Sequence, residues 1–147
     1  MRFPAVSGSN LAGERFALPG DLDLPALVLV AFRRHQQSTV DTWLDLVDPL
    51  AERGVATYEL PTIGRYALPA RWVIDGGMRA GIPDRAARER TITLYTDVRA
   101  FRDTLALPDE RVVALLLDAG GEVVTRFTGA RGETTAEDVA TALGAAP

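Results

Sequence analysis

Apolar residues along this chain fall into blocks with two distinct periods. Residues 27–32 (LVLVAF) are continuously apolar, rich in β-branched and aromatic side chains, and bounded by Pro25 and Arg33-Arg34. Such a run suits a central strand covered on both faces. After a polar stretch, Val40, Trp43, Leu44, Val47, Leu50 and Ala51 repeat at the i, i+3, i+4, i+7 spacing of an amphipathic helix. Ser38 or Thr39 is expected as its N-cap, with Asp41 in the first turn. Pro49 predicts a kink within that helix, and Gly54 its end. Residues 55–60 (VATYEL) follow as a second strand closing at Pro61. Strand, helix and strand in immediate succession predict a parallel pair with a right-handed crossover.

The remaining blocks extend this pattern. Residues 3–20 read as short extended pieces joined by turns at Gly8, Gly13 and Gly20. Between residues 62 and 90, Pro69, Gly76, Gly77, Gly81 and Pro83 leave room for one or two short helical pieces. Tyr66, Trp72, Val73, Met78 and Ile82 are expected to anchor them. Residues 91–95 alternate as a strand, and Asp97 caps a helix with Val98, Phe101 and Leu105 facing inward. Residues 111–117 form another buried strand, turning at Gly120-Gly121 into a hairpin partner at 122–127. Thr134-x-x-Glu137 is a capping box ahead of a last helix. The predicted fold class is α/β, a mixed central sheet flanked by helices. The reading is a single domain over residues 1–147, with an extended N-terminal arm at 1–24 and a fraying tail at 144–147.

Composition removes several chemistries. The chain of 147 residues has no cysteine, no lysine and one histidine, so all 16 of its basic residues are arginine. Thiol–disulfide exchange, thiol peroxidase activity, Schiff-base catalysis and a phosphate-loop lysine are excluded, as is a zinc site of nitrogen and sulfur ligands within one chain. The Gly8 to Gly13 spacing is no phosphate loop, because Glu14-Arg15 stands where Lys-Ser/Thr is required. No metal and no cofactor are expected. A net charge of −4 with no concentrated basic face argues against nucleic acid. The arginines between 65 and 90 read as a solvated helix face. No run reaches the roughly 18 apolar residues of a membrane span. The first residues carry no continuous apolar signal region, and the expected location is the cytoplasm.

The order of elements, with its apolar strand, acidic-glycine turn and terminal glycine across residues 115–129, resembles the thioredoxin-like fold in its peroxiredoxin-style, N-terminally extended form. Several segments are similar to the mitochondrial ATP synthase assembly factor family called ATPase complex subunit ten, and its bacterial relatives. They are Phe3-Pro4, Leu11-x-Gly13 with Leu18-Pro19, Val30-Ala-Phe32-x-x-x-Gln36-Gln37, Val40-Asp41-x-Trp43, Gly77-Met78-Arg79-x-Gly81, and Thr91-x-Thr-Leu-Tyr95-x-Asp97. The superfamily resemblance implies that residues 34–39 occupy the place where redox-active members carry a reactive cysteine at a helix start. It also implies that Arg111-Val-Val113 replaces their cis-proline.

These residues frame two readings of function. The leading one is a redox-inactive binding or assembly module for an unknown protein partner. Its working surface would be residues 33–39, with Arg33, Arg34, His35, Gln36 and Gln37, together with the 76–83 loop that carries Met78 and Arg79. The alternative is a thiol-independent hydrolase, with His35 as base beside the Ser38 hydroxyl and Asp41 orienting the pair. The plainer reading of Ser38 is an N-cap. Trp43 and Trp72 read as core anchors. A homodimer through an exposed sheet edge is a further expectation.

Overall fold

The strand at residues 26–31 is apolar at every position because both of its faces are covered. Ala26, Val28 and Val30 lie against Tyr58, Leu60, Ile92, Leu94 and Leu115 on one side. Leu27 and Leu29 lie against Trp43, Leu50, Ala114 and Leu116 on the other. This computed structural model describes residues 1–82 and 84–144, the side chains of Leu68 and Trp72 aside. The strands are β1 (Val6–Asn10), β2 (Arg15–Leu18), β3 (Ala26–Ala31), β4 (Ala56–Gly64), β5 (Ile92–Thr96), β6 (Val113–Leu117) and β7 (Val123–Thr128). The helices are α1 (Gln37–Asp41), α2 (Val47–Glu52), α3 (Arg71–Gly81), α4 (Arg85–Arg90), α5 (Val98–Thr104) and α6 (Ala136–Gly144), with 3-10 turns at Arg34–Gln36, Leu44–Leu46 and Arg65–Ala70.

All seven strands join one sheet in the order β2-β1-β5-β4-β3-β6-β7. The β3–β4 and β4–β5 pairs are parallel and the rest antiparallel. Helix α5 covers the first face through Phe101, together with Phe3, Leu18 and Leu22 of the N-terminal segment. Helices α1, α2 and α6 cover the second through Val40, Leu50 and Val139. The expected arm supplies the β1–β2 hairpin, which lengthens the sheet beside β5. Asp21 occupies the outer edge of β2 by accepting the Ala17 N–H at 2.7 Å, which blunts an otherwise open strand edge.

Several expectations are corrected. The helix read from residue 38 to 54 is two short helices separated by a 3-10 turn, and it begins at Gln37. Pro49 causes the break upstream of itself. It is the third residue of α2, where a missing N–H costs nothing, but its ring excludes a regular turn at Asp45. Ser38 therefore lies inside α1 instead of capping it. The chain runs straight through Gly8, which is needed for close approach: a Cβ there would sit 2.6 Å from the Thr93 carbonyl oxygen. β4 continues past Pro61, which stands at the last β3 pairing, where no interior rung needs its N–H. Helix α3 passes through Gly76-Gly77 because its side chains are tied elsewhere: Asp75 accepts from Tyr95 Oη at 2.9 Å, and Arg79 Nε donates to the Leu11 carbonyl at 3.0 Å. Tyr66 and Val73 are 87% and 80% exposed and anchor nothing. The last capping box is Thr135 with Asp138, one residue later than read, since Arg131 holds Thr134 in the preceding turn. Anchoring by Trp72 and the tail beyond Gly144 lie outside the described residues.

The Gly8 contact gives a stability test. Gly8→Ala is expected to cost about 2 kcal/mol, the usual penalty of overpacking. Gly20→Ala, with its nearest neighbour at 4.0 Å, should stay within about 0.5 kcal/mol. Urea denaturation of both variants measures the difference.

Candidate functional site

Where β3 ends, the chain does not continue beside β4. The carboxamide oxygen of Gln36 accepts the backbone N–H of Phe32 at 2.8 Å and of Arg33 at 3.0 Å. Its Nε2 donates to the Glu110 carbonyl at 2.6 Å. One side chain thus satisfies two donors at the strand end and fastens the β3–α1 connection to the segment leading into β6. Arg33 reinforces the fastening through Nε and Nη2 to Glu110 Oε2, at 3.0 and 2.6 Å. This pair is partly exposed and adds little by itself.

β4, by contrast, runs on. Its pairing with β3 stops at Ala31↔Pro61, while Thr62, Ile63 and Gly64 pair with Leu94, Tyr95 and Thr96 of β5. Between this overhang and the diverging loop lies a cleft of about 450 Å³. Its walls are Phe32 and Arg33, residues 62–66, residues 96–98, and Glu110. The position agrees with the rule that open α/β sheets bind ligands at the carboxyl ends of their parallel strands, and the volume falls in the roughly 300–1,000 Å³ range of ligand sites. Asp97 is committed to capping α5 through the Ala100 N–H at 3.1 Å. Tyr66, on the rim, lies against Gly64.

The residues singled out from sequence are distributed unevenly around this cleft. Arg33 lines it. Arg34 and His35 are exposed in the adjoining 3-10 turn. Gln36 is the fastener just described. Gln37 faces the opposite layer, donating to Asp41 Oδ1 at 2.8 Å and to Glu59 Oε1 at 3.3 Å. His35 and Ser38 are both exposed and no hydrogen bond joins them, and Asp41 is engaged by Gln37. Met78 and Arg79 belong to α3 and pack on Thr93 of β5 and on Leu11 at the β1–β2 turn, away from residues 33–39. Trp43 is fully buried, with its Nε1 donating to the Gly129 carbonyl at 2.9 Å.

Sequence reading overlooked Glu59. Alternation along β4 sends Tyr58 and Leu60 into one core and Thr57 and Glu59 toward the other face. There Glu59 is 5% exposed, with Arg90 Nε of α4 at 3.6 Å and Gln37 of α1 as its neighbours. Burial raises its carboxyl above the usual value of 4.5, only partly opposed by Gln37 and Arg90, while Asp41 pushes the same way as burial. The signal was present: a charged residue in phase with a threonine inside an otherwise apolar strand. Its consequence is a pH dependence with a definite sign. A carboxyl whose folded pKa is raised favours folding fully below its unfolded pKa and loses that contribution as pH rises through the folded value. Glu59→Gln removes the ionisation, so its stability relative to the parent chain should increase from pH 4 to pH 7. Denaturation midpoints across that range test the direction.

No protein-family model matches the chain, and no curated protein matches it. Solved structures do. A thiol:disulfide interchange protein from Bacteroides sp. superposes with a TM-score of 0.63 at 17% identity, over 95% of this chain and 84% of that one. A thio-disulfide isomerase from Thermus thermophilus gives 0.56 at 20% identity, over 99% and 96%. BsSco, a member of the Sco family of cytochrome c oxidase assembly proteins, gives 0.59 at 13% identity, over 98% and 94%. Among the described residues, no helix is long and apolar enough to cross a membrane. At these identities the likeness establishes the fold alone: the chain adopts the thioredoxin-like fold and carries no cysteine.

Proposed function

We propose that the chain is a redox-inactive binding or assembly module. Its working surface is the β3–α1 connection at residues 33–39, with the cleft beside it. The observation that carries the reading is a built cleft at the strand ends of a fold whose usual nucleophile is missing. The loop is held in shape by Gln36, it presents Arg34 and His35 outward, and no joined nucleophile–base pair stands in it. Support for assembly as the task comes from two directions. Short segments across the chain resemble the ATP synthase assembly factors, and BsSco, which shares the fold, belongs by its description to an assembly family. Met78 and Arg79, which the sequence reading joined to this surface, lie on α3 with contacts to Thr93 and Leu11, and the proposal does not include them. A cytoplasmic site of action forms part of the proposal, and a chain without cysteine is compatible with either redox compartment.

The test is affinity capture from the native host with two baits, the parent chain and Arg34→Ala/His35→Ala. Both substitutions fall on exposed side chains, so both baits are expected to fold. The reading predicts a protein recovered by the parent bait and lost from the variant. Identical recovery by both baits, or specific recovery by neither, contradicts it.

A further inference from the structure

The cleft has a property that side-chain chemistry alone does not show: one wall is an unused strand edge. β4 pairs with β3 from Ala56 to Pro61 and, from Thr62 to Gly64, with β5 alone. On the other side β3 has turned away, its last N–H groups taken by Gln36. Beyond the Ala31–Pro61 pair, β3 makes no ladder pairing with residues 62–64. An open stretch of three residues is about 10 Å of edge. Buried backbone groups are normally paired, so a groove floored by such an edge is chemically prepared for another main chain.

The surrounding side chains narrow the occupant. Tyr66 stands 87% exposed at the edge's end, in contact with Gly64. A large aromatic ring held in the open beside a groove is the kind of residue that anchors partners. Arg33 neutralises Glu110 across the cleft, and Asp97 is turned into α5 as its cap. Arg65, on the rim, is exposed. The lining charges of Arg33, Arg65, Asp97 and Glu110 balance, and Arg65 is the cation among them with no ion pair among the described residues.

We propose that residues 62–64 of β4 receive an extended peptide segment of a protein partner. The segment pairs through its main chain in the line that β3 vacates, with an apolar or aromatic side chain on Tyr66 and an acidic one toward Arg65. This rests on the binding-module reading and specifies the partner's chemistry at that site.

The probe is a twelve-residue peptide selected from a random library against the immobilised full chain and then synthesised. Selection should enrich acidic sequences containing an apolar or aromatic residue. Amide resonances of residues 62–64 and of Tyr66 should shift on titration. N-methylation of the peptide at alternate backbone positions should weaken binding about tenfold for the set facing β4 and leave the other set within about twofold, since a lost main-chain hydrogen bond costs about 1–1.5 kcal/mol. Tyr66→Ala and Arg65→Glu, both at exposed positions, should each weaken binding about fivefold or more, within the range of interface truncations. The proposal is overturned if no peptide is enriched, if the shifted amides lie elsewhere, or if both N-methylated sets bind alike. Concentration-dependent shifts of the same amides without peptide would assign the edge to a second copy and also overturn it. Partner capture that depends on Arg34 and His35, combined with any of these negative results, would remove this inference and leave the broader reading standing.

Discussion

Two backbone N–H groups at the end of β3, those of Phe32 and Arg33, are satisfied by the side chain of Gln36 in place of the strands on either side. The rest of the site depends on this substitution of partners. Had the ladder continued, Phe32 and Arg33 would lie beside residues 62 and 63 and the cleft would be filled with strand. Because the carboxamide accepts both donors and hands its own N–H to the Glu110 carbonyl, the loop departs from the sheet with both donors paired. The same bonds tie it to the start of β6, so the departure has a fixed direction.

Below this junction the two faces of the sheet are built differently. The face under α5 carries the larger apolar cluster, with Asn10, Thr62 and Thr96 buried toward its margins, whereas the face under α1 and α4 places the charged Glu59 together with Thr57, Thr91 and Thr93 among its buried residues. Glu59 links the start of α1, through Gln37, to the end of α4, through Arg90. Both contacts are long, and the Thr57 hydroxyl beside them has no partner. A carboxylate held this loosely is weak as a source of stability. It nevertheless couples the layer that carries residues 33–39 to the layer that covers β5.

Much of the architecture was legible because its signals are local. The continuous apolar run of β3, the Asp97 cap and the Gly-Gly turn before β7 each identify themselves within a few residues, and together they order the strands. What failed to show was determined by distant contacts. Gly8 is a strand residue because Thr93 approaches it, not a turn. Gly76 and Gly77 stay helical because Asp75 and Arg79 are held by Tyr95 and Leu11. β4 outlasts its proline because β5, encoded some thirty residues later, takes over its pairing. The site was half legible. The resemblance located the loop, and the loop's glutamines were noticed, but not that Gln36 accepts from the strand behind it and donates across to Glu110. Residues 62–66, now the floor and rim of the cleft, sat in a stretch whose pattern gave no period at all.

Hydrogen exchange at single-residue resolution tests most directly whether Gln36 ends β3 and holds the site open. In the parent chain the Phe32 and Arg33 amides should be protected. In Gln36→Ala they should exchange faster by about tenfold or more, as expected for removal of an acceptor worth roughly 1.5 kcal/mol, while the amides of residues 27–30 keep their protection. Unprotected Phe32 and Arg33 amides in the parent, or unchanged protection in the variant, would contradict the account.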